Sequence, residues 1–277
     1  MEVIRYSMSK PQGVLGEYVR FFWSLDAQID ATDFFVHRAL PDNCAELIFY
    51  CKGKLAISSP DGEEGNTFSS GVFGQSQKFR QFKTKRSFHL FGVYLYPYSF
   101  KLLFNLPAHH LRNEKVDTET LWGLNGKMLE EQIILAETDT QRVQLASNFL
   151  MESIKMIKSH DRDFVRKIKS VVDNDSILSI SSFAHDCNLS RRQFERKFIE
   201  FSGLSPKDFF SVNRFKKVLK EIELRRKPLA QIAIDAGYYD QSHLSNEFKR
   251  FSGYSPKEYS INYPEIIDSR ATRDFKL

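Results

Sequence analysis

The sequence predicts an α+β chain, with a β-rich N-terminal half that carries helices and an all-α C-terminal half. Three observations carry this. Apolar residues alternate in short runs before residue 100, apolar residues recur at helical spacing after it, and one helical motif occurs twice near the C-terminus. At 277 residues, the chain exceeds a typical single domain, so two are expected, 1–160 and 161–277.

In the first half, Val19, Phe21, Trp23 and Leu25 alternate in one candidate strand, and Ala45, Leu47, Phe49 and Cys51 in another. Phe88, Leu90, Tyr94 and Tyr96 oppose His89, Phe91, Val93 and Leu95, so that strand is apolar on both faces and is expected to be central. The polar stretch 60–66 reads as a turn between strands. Such short strands suggest a small barrel or sandwich. From Pro97 the pattern turns helical. Residues 124–136 and about 139–159 are amphipathic, the second with Val143, Ala146, Phe149, Leu150, Ile154 and Ile157 on one side. Packing against the strands is one reading of that face, and a contact between two copies is the other. Ser159 to Asp163 is polar enough to be the linker.

The second half is read most closely from Pro228 to Tyr259. Leu229, Ile232, Ala233 and Ala236 form one apolar stripe on a short helix, with Pro228 suited to its first position and Gly237 to its stop. Asp240 caps a second helix whose buried stripe is Leu244, Phe248 and Phe251, and Gly253 closes it. Ser255-Pro256-Lys257-Glu258 opens a third with a capping box. Two short helices about a glycine turn make a helix-turn-helix. Residues 198–208 match 248–258 at seven of eleven positions. Upstream, Ile180, Phe183, Ala184 and Cys187 repeat the first stripe, offset by forty-nine instead of fifty. The missing residue falls in the turn, which leaves both helix faces in register. Ser190 to Gln193 caps the first copy's second helix, and Phe194, Phe198 and Phe201 form its buried face. The helix between the copies, Pro206 to about Leu224, spans roughly 28 Å, close to the ~34 Å between successive major grooves on one face of B-DNA.

The run I-A-x-x-x-G-Y-x-D-x-S-H-L-x-x-x-F-K-R-x-x-G-x-S-P-x-x-Y, from Ile232 to Tyr259, together with its upstream repeat, resembles the AraC/XylS family of transcriptional regulators over roughly residues 163–262. Leu244 stands where that family usually has an aromatic residue, and Ser260 where it often has arginine. The resemblance implies a cytoplasmic DNA-binding regulator, for instance an activator that would meet RNA polymerase. It implies a cupin-like N-terminal domain that senses a small molecule, and pairing into a dimer. RALPDNCAELIFY and VDTETLWG look like a less-studied branch, so no ligand-binding residues are carried over.

Charge agrees with a DNA partner. Residues 161–277 hold 22 Lys+Arg against 17 Asp+Glu, and residues 1–160 hold 18 against 18, so the whole net charge of +5 lies in the duplicated half. With Phe194 and Phe198 inward, Arg192, Glu195 and Arg196 lie outward; arginine can donate to guanine O6 and N7, and glutamate can accept from cytosine N4. In the second copy Gln241, Ser242, His243, Ser245 and Asn246 are outward, at positions where the family reads bases. Arg191, Lys197, Arg214, Lys216, Lys217, Lys249 and Arg250 are the candidates for phosphate, which positions without specifying sequence.

Other chemistries are set aside. With no eighteen-residue apolar run and no charged-then-apolar leader, neither a membrane span nor export is expected. Cys44, Cys51 and Cys187 lack metal spacing and read as reduced thiols. His109-His110 diverge on a helix and read as a surface pair. No catalytic set rises above chance, so neither an enzyme nor a cofactor is expected. Two alternatives stand beside the regulator: a DNA-repair methyl acceptor, for which the cysteines are too few, and a ligand-binding interaction protein with a vestigial DNA module.

Overall fold

The computed structural model describes residues 3–30, 34–60, 62, 64–173 and 184–262. The strands in chain order are β1 Val3–Ser9, β2 Val19–Gln28, β3 Phe35–Ala39, β4 Ala45–Lys52, β5 Ala56–Ser58, β6 Glu64–Asn66, β7 Ser70–Phe73, β8 Arg80–Thr84, β9 Phe88–Leu95 and β10 Lys115–Asp117. They form a six-stranded sheet, β1-β2-β9-β4-β7-β10, and a four-stranded one, β3-β8-β5-β6, with antiparallel pairing throughout. The expected polar turn at 60–66 contains β6, whose Glu64–Asn66 pairs with β5. Three exposed residues without an apolar face leave no alternation to read.

The strand apolar on both faces is central, as expected, with β9 between β2 and β4. One face sends Phe88 and Leu90 into a core with Phe21, Trp23, Leu25, Ile48, Tyr50, Phe73 and Phe82, which lies between the sheets. The other sends Phe91, Val93 and Leu95 into a second core with Phe22, Leu47 and Phe49, which the helices cover. The sequence grouped Val19 with Phe21, Trp23 and Leu25, but Val19 belongs to the second core. A register shift between Val19 and Phe21 inserts a bulge, and one residue of slip reverses which face a side chain takes. Aromatic residues fill the space between the sheets, with Phe35 edge-on to Phe88 at 4.7 Å and Phe73 edge-on to Phe82 at 5.9 Å. Trp23 donates its indole N–H to Glu46 at 2.6 Å, so its one polar atom is satisfied there.

The helices are α1 Ser99–Phe104, α2 Thr118–Trp122, α3 Leu124–Leu135, α4 Asp139–Lys155, α5 Ser159–Asp173, α6 Arg191–Ser202, α7 Pro206–Leu224, α8 Leu229–Asp235, α9 Gln241–Ser252 and α10 Pro256–Asn262. A full capping box starts α4: Thr138 accepts from the Gln141 N–H while Gln141 accepts from the Thr138 N–H. Of the expected α4 face, Ala146, Leu150 and Ile154 are buried, and Val143, Phe149 and Ile157 pack on the same core. That apolar face therefore closes the chain's own sheet. Buried Arg142 donates to the carbonyls of Ile133 and Ala136 and to Asp139, which ties the end of α3 to the start of α4.

α5 runs through the polar segment 159–163. Its Phe164, Val165 and Ile168 join the same core as the sheet. So do Phe194, Phe198 and Phe201 of α6 and Phe209 and Phe210 at the start of α7. The rest of α7, with Phe215, Val218 and Ile222, forms a separate core with α8, α9 and α10.

Gly92 gives a direct test of the sheet packing. A Cβ added there would stand 2.1 Å from the Trp23 ring. Gly92→Ala is expected to lower stability by about 1–3 kcal/mol through overpacking, read as a drop in denaturation midpoint with an unchanged denaturant slope.

Candidate nucleic-acid interface

The second copy of the motif forms as its residues dictate. Ile232, Ala233 and Ala236 are buried, and the chain turns at Gly237 with φ +78°. Pro228 sits one position earlier than expected, at the cap of α8 rather than inside it. The Tyr238 N–H reaches the Ala233 carbonyl at 2.9 Å and closes the helix end. Asp240 then accepts the His243 N–H at 2.7 Å and starts α9. Leu244, in place of the usual aromatic, is fully buried. Phe248 and Phe251 pack on Phe215 of α7 at 5.2 and 5.1 Å.

The first copy repeats this geometry with different residues. Ile180 and Phe183 lie outside the described residues, and Ala184 is buried. The Leu189 N–H reaches the Ala184 carbonyl at 2.9 Å, the counterpart of Tyr238 to Ala233. Asn188, with φ +54°, stands where Gly237 does; asparagine is the side-chain residue that best tolerates this left-handed turn. Ser190 and Gln193 then form the capping box of α6. With the two turns aligned, the extra residue of the second copy is Tyr239, which is 91% exposed and directly precedes the cap of α9. The sequence reading passed over it, although the one-residue difference in offset was its signal.

Six of the eight base-reading candidates are exposed. Arg192 and Arg196 on α6 are exposed, as are Gln241, Ser242, His243 and Asn246 on α9, while Ser245 is half-buried. Glu195 is half-buried and accepts from the Arg191 guanidinium at 3.0 Å, so these two are joined along α6. The His243 ring stands edge-on to Tyr238 at 5.3 Å.

The phosphate candidates divide. Lys249 and Arg250 are exposed on the last turn of α9, although Arg250 also lies 3.5 Å from Glu247. The Lys197 ammonium sits 4.3 Å from the centre of the Phe164 ring. Arg214 meets Glu247 at 3.5 Å and the Tyr238 ring at 5.3 Å, and Tyr238 in turn donates to Glu247 at 2.9 Å. Lys217 is half-buried on α7. Lys216 faces the N-terminal half, where its ammonium meets Asp42 at 2.9 Å.

The Asp42 carboxyl is strongly perturbed. Burial pushes its carboxyl upward, but Lys216, Arg20 and the hydroxyl of Tyr94, which donates to it, together hold it well below the usual carboxylate range. The neighbouring Cys44 thiol is pushed up to about 12, chiefly by burial and then by the Asp42 charge. That cysteine is therefore a neutral thiol at physiological pH. Cys44, Cys51 and Cys187 are all free. His109 and His110 lie edge to face on a short 3-10 turn, and among the described residues no group of three metal-binding side chains comes together.

Residues 183–261 match a family described as a helix-turn-helix domain, and residues 7–117 match a domain of unknown function. With the doubled motif, its caps and its turns in place, the first match decides the assignment. Residues 183–261 are a helix-turn-helix domain of the AraC type. Its N-terminal half is of a less-studied kind. Among curated relatives, a probable transcriptional regulator, LumQ of Photobacterium leiognathi, is 33% identical over 86 residues, which is 31% of this chain and 34% of that protein. The Msm operon regulatory protein of Streptococcus mutans is 23% identical over 133 residues, 47% of this chain and 48% of its own. The chain thus spans at most about half the length of these relatives. The solved structure of ToxT from Vibrio cholerae aligns over 94% of this chain and 98% of its own, at 14% identity and a TM-score of 0.46. Among the described residues no helix is long and apolar enough to cross a membrane.

The depressed Asp42 carboxyl sets a pH dependence. A carboxyl whose folded pKa lies below its unfolded one adds stability above the unfolded value, near 4, which is lost as pH falls toward the folded value. Asp42→Asn should therefore lower the melting temperature at pH 7. The gap to the wild-type chain should narrow steadily between pH 5 and pH 3 in melts followed by circular dichroism.

Proposed function

We propose that this protein is a sequence-specific transcriptional regulator that reads two successive major grooves with α6 and α9. The observation that carries this is the pair of capped recognition helices on one continuous spacer, α7, with Arg192 and Arg196 exposed on the first and Gln241 and Asn246 on the second. Arg192 and Arg196 would read guanine in one groove. Gln241 and Asn246 have the donor and acceptor pair that suits adenine in the other, with Ser242, His243 and Ser245 beside them. Exposed Tyr239, directly before the cap of α9, would touch backbone or a thymine methyl. Lys249 and Arg250 suit phosphate, and so does Arg191 once released from Glu195.

Residues 1–160 serve in this reading as the sensory and pairing domain, and 161–277 as the DNA-binding domain. The aromatic core between the sheets suits control by a small apolar effector that would alter its packing. Two copies joined on one operator would raise each other's effective concentration on DNA. As an activator the protein would also meet RNA polymerase.

The test is selection of duplexes from a random pool by the full chain, followed by binding over a range of salt. A selected duplex should bind with an affinity that falls steeply between about 50 and 200 mM salt, as counterions leave the phosphates. Equal affinity for selected and random duplexes would remove the reading. On the selected duplex, Arg192→Ala and Arg196→Ala should each cost about 1–3 kcal/mol, with little change on random DNA, as read by gel shift or anisotropy.

A further inference from the structure

The turns that end the two recognition helices are the same turn built twice. Ser202 donates to the Phe198 carbonyl at 2.8 Å and accepts from the Leu204 N–H; Ser252 donates to the Phe248 carbonyl at 2.8 Å and accepts from the Tyr254 N–H. Gly203 and Gly253 follow with φ +77° and +76°. The N-terminal half meets both turns at the space where a side chain would begin. A Cβ on Gly203 would stand 2.6 Å from the Gln75 amide oxygen, and one on Gly253 would stand 2.5 Å from the Phe79 ring and 2.8 Å from the Arg38 guanidinium. Gln75 and Phe79 belong to one short connection, between β7 and β8.

Arg38 completes the grip on the second turn. Its guanidinium lies over Phe79 at 4.3 Å and over Tyr254 at 4.1 Å, and it donates to the Ser252 carbonyl at 2.9 Å. The spacer α7 is held between these points: Asn43 donates to the Phe209 carbonyl at 3.1 Å and to the Asn213 side chain at 2.7 Å, and Asp42 holds Lys216. The two copies have separate cores, and among the described residues α7 is the one helix that enters both. A helix of its length fixes a distance, but it twists and bends more readily than a body held at three points.

We propose that the 75–79 connection and Arg38 act as a jig that fixes the distance and rotation between the two recognition helices, and that Arg38 and Phe79 are positioning residues for the spacing of the DNA elements. The proposal rests on the DNA-reading function above. Its chemistry is rigidity: orientation fixed before binding is not lost on binding, so a correctly spaced site gains affinity and a misspaced one does not. One inserted base pair shifts the second element by about 3.4 Å and roughly 35°. A rigid protein cannot follow that shift, and a loosened one can.

The experiment uses the full chain, wild type and as Arg38→Ala, Phe79→Ala and Arg38→Lys. The probe is a duplex selected by the wild-type chain from a random pool, with its two elements located by footprinting. Derivatives carry one or two base pairs inserted between the elements, or keep one element alone. The wild-type chain should lose about tenfold or more in affinity for one inserted pair, and Arg38→Ala and Phe79→Ala less than about threefold. Both variants should bind the uninterrupted duplex more weakly than wild type and the single element equally well. Arg38→Lys, which keeps the charge but not the planar stack, should fall between. Variants that keep the full wild-type spacing penalty would overturn the proposal, as would an equal loss on every duplex including the single element. Because Arg38 and Phe79 are half-buried side chains on different segments, a folding defect in one variant leaves the other to decide. A wild-type chain with no salt-dependent DNA binding would remove the function itself. One that binds, discriminates spacing and passes that discrimination unchanged to the variants would remove the jig alone.

Discussion

One helix with two partners holds this molecule together. α7 places Phe209 and Phe210 in the core shared with the sheet and places Phe215, Val218 and Ile222 in the core of the second motif. Pro206 at its first turn and Ser205, which accepts from the Asp208 N–H at 3.1 Å, set where it starts. A nineteen-residue helix buried at both ends cannot slide without exposing phenylalanine at one of them. The register of the two recognition helices follows from that. So does the need for a polar seam along the face of α7 that meets the N-terminal half.

That seam is charged and partly enclosed, which is an expensive way to join two bodies unless every group finds a partner. Here Asp42 meets Lys216 and Tyr94, and it lies within the field of Arg20. Asn43 meets both backbone and side chain of α7. Such a seam discriminates more than it adheres. A shifted register would leave Asp42 or Lys216 enclosed without its partner, so the wrong arrangements are penalised more than the right one is rewarded.

Much of the C-terminal half was legible because local rules govern it. Caps at Ser190, Asp240 and Ser255, glycine at 203, 237 and 253, and phenylalanine at helical spacing each act within a turn or two of chain. β9 was legible as a central strand because both its faces are apolar. The three-residue strands β6 and β10 were not, since three residues carry no readable period. The bulge at Val19 to Phe21 also escaped, because alternation reports only where a strand stays regular. The outward faces of α6 and α9 followed from their buried stripes. What escaped was which cations would be taken by the protein itself. Arg214 and Lys216 read as phosphate candidates in a linear pattern, but their partners Glu247 and Asp42 lie thirty or more positions away. No local signal connects them.

The two motif copies are near-twins in sequence but unequal in what surrounds them. The first shares its core with the sheet, α4 and α5, whereas the second closes a core of its own and touches the N-terminal half through a few side chains about Arg38, Leu40 and Asp42. Opening the first therefore disturbs most of the chain, while the second can open with only α8, α9, α10 and the far end of α7 at stake. The backbone amides of Phe198 and Phe248, in equivalent places on equivalent helices, accordingly belong to two different cooperative units. A duplicated gene segment has here become one part that is structure and one part that is a module.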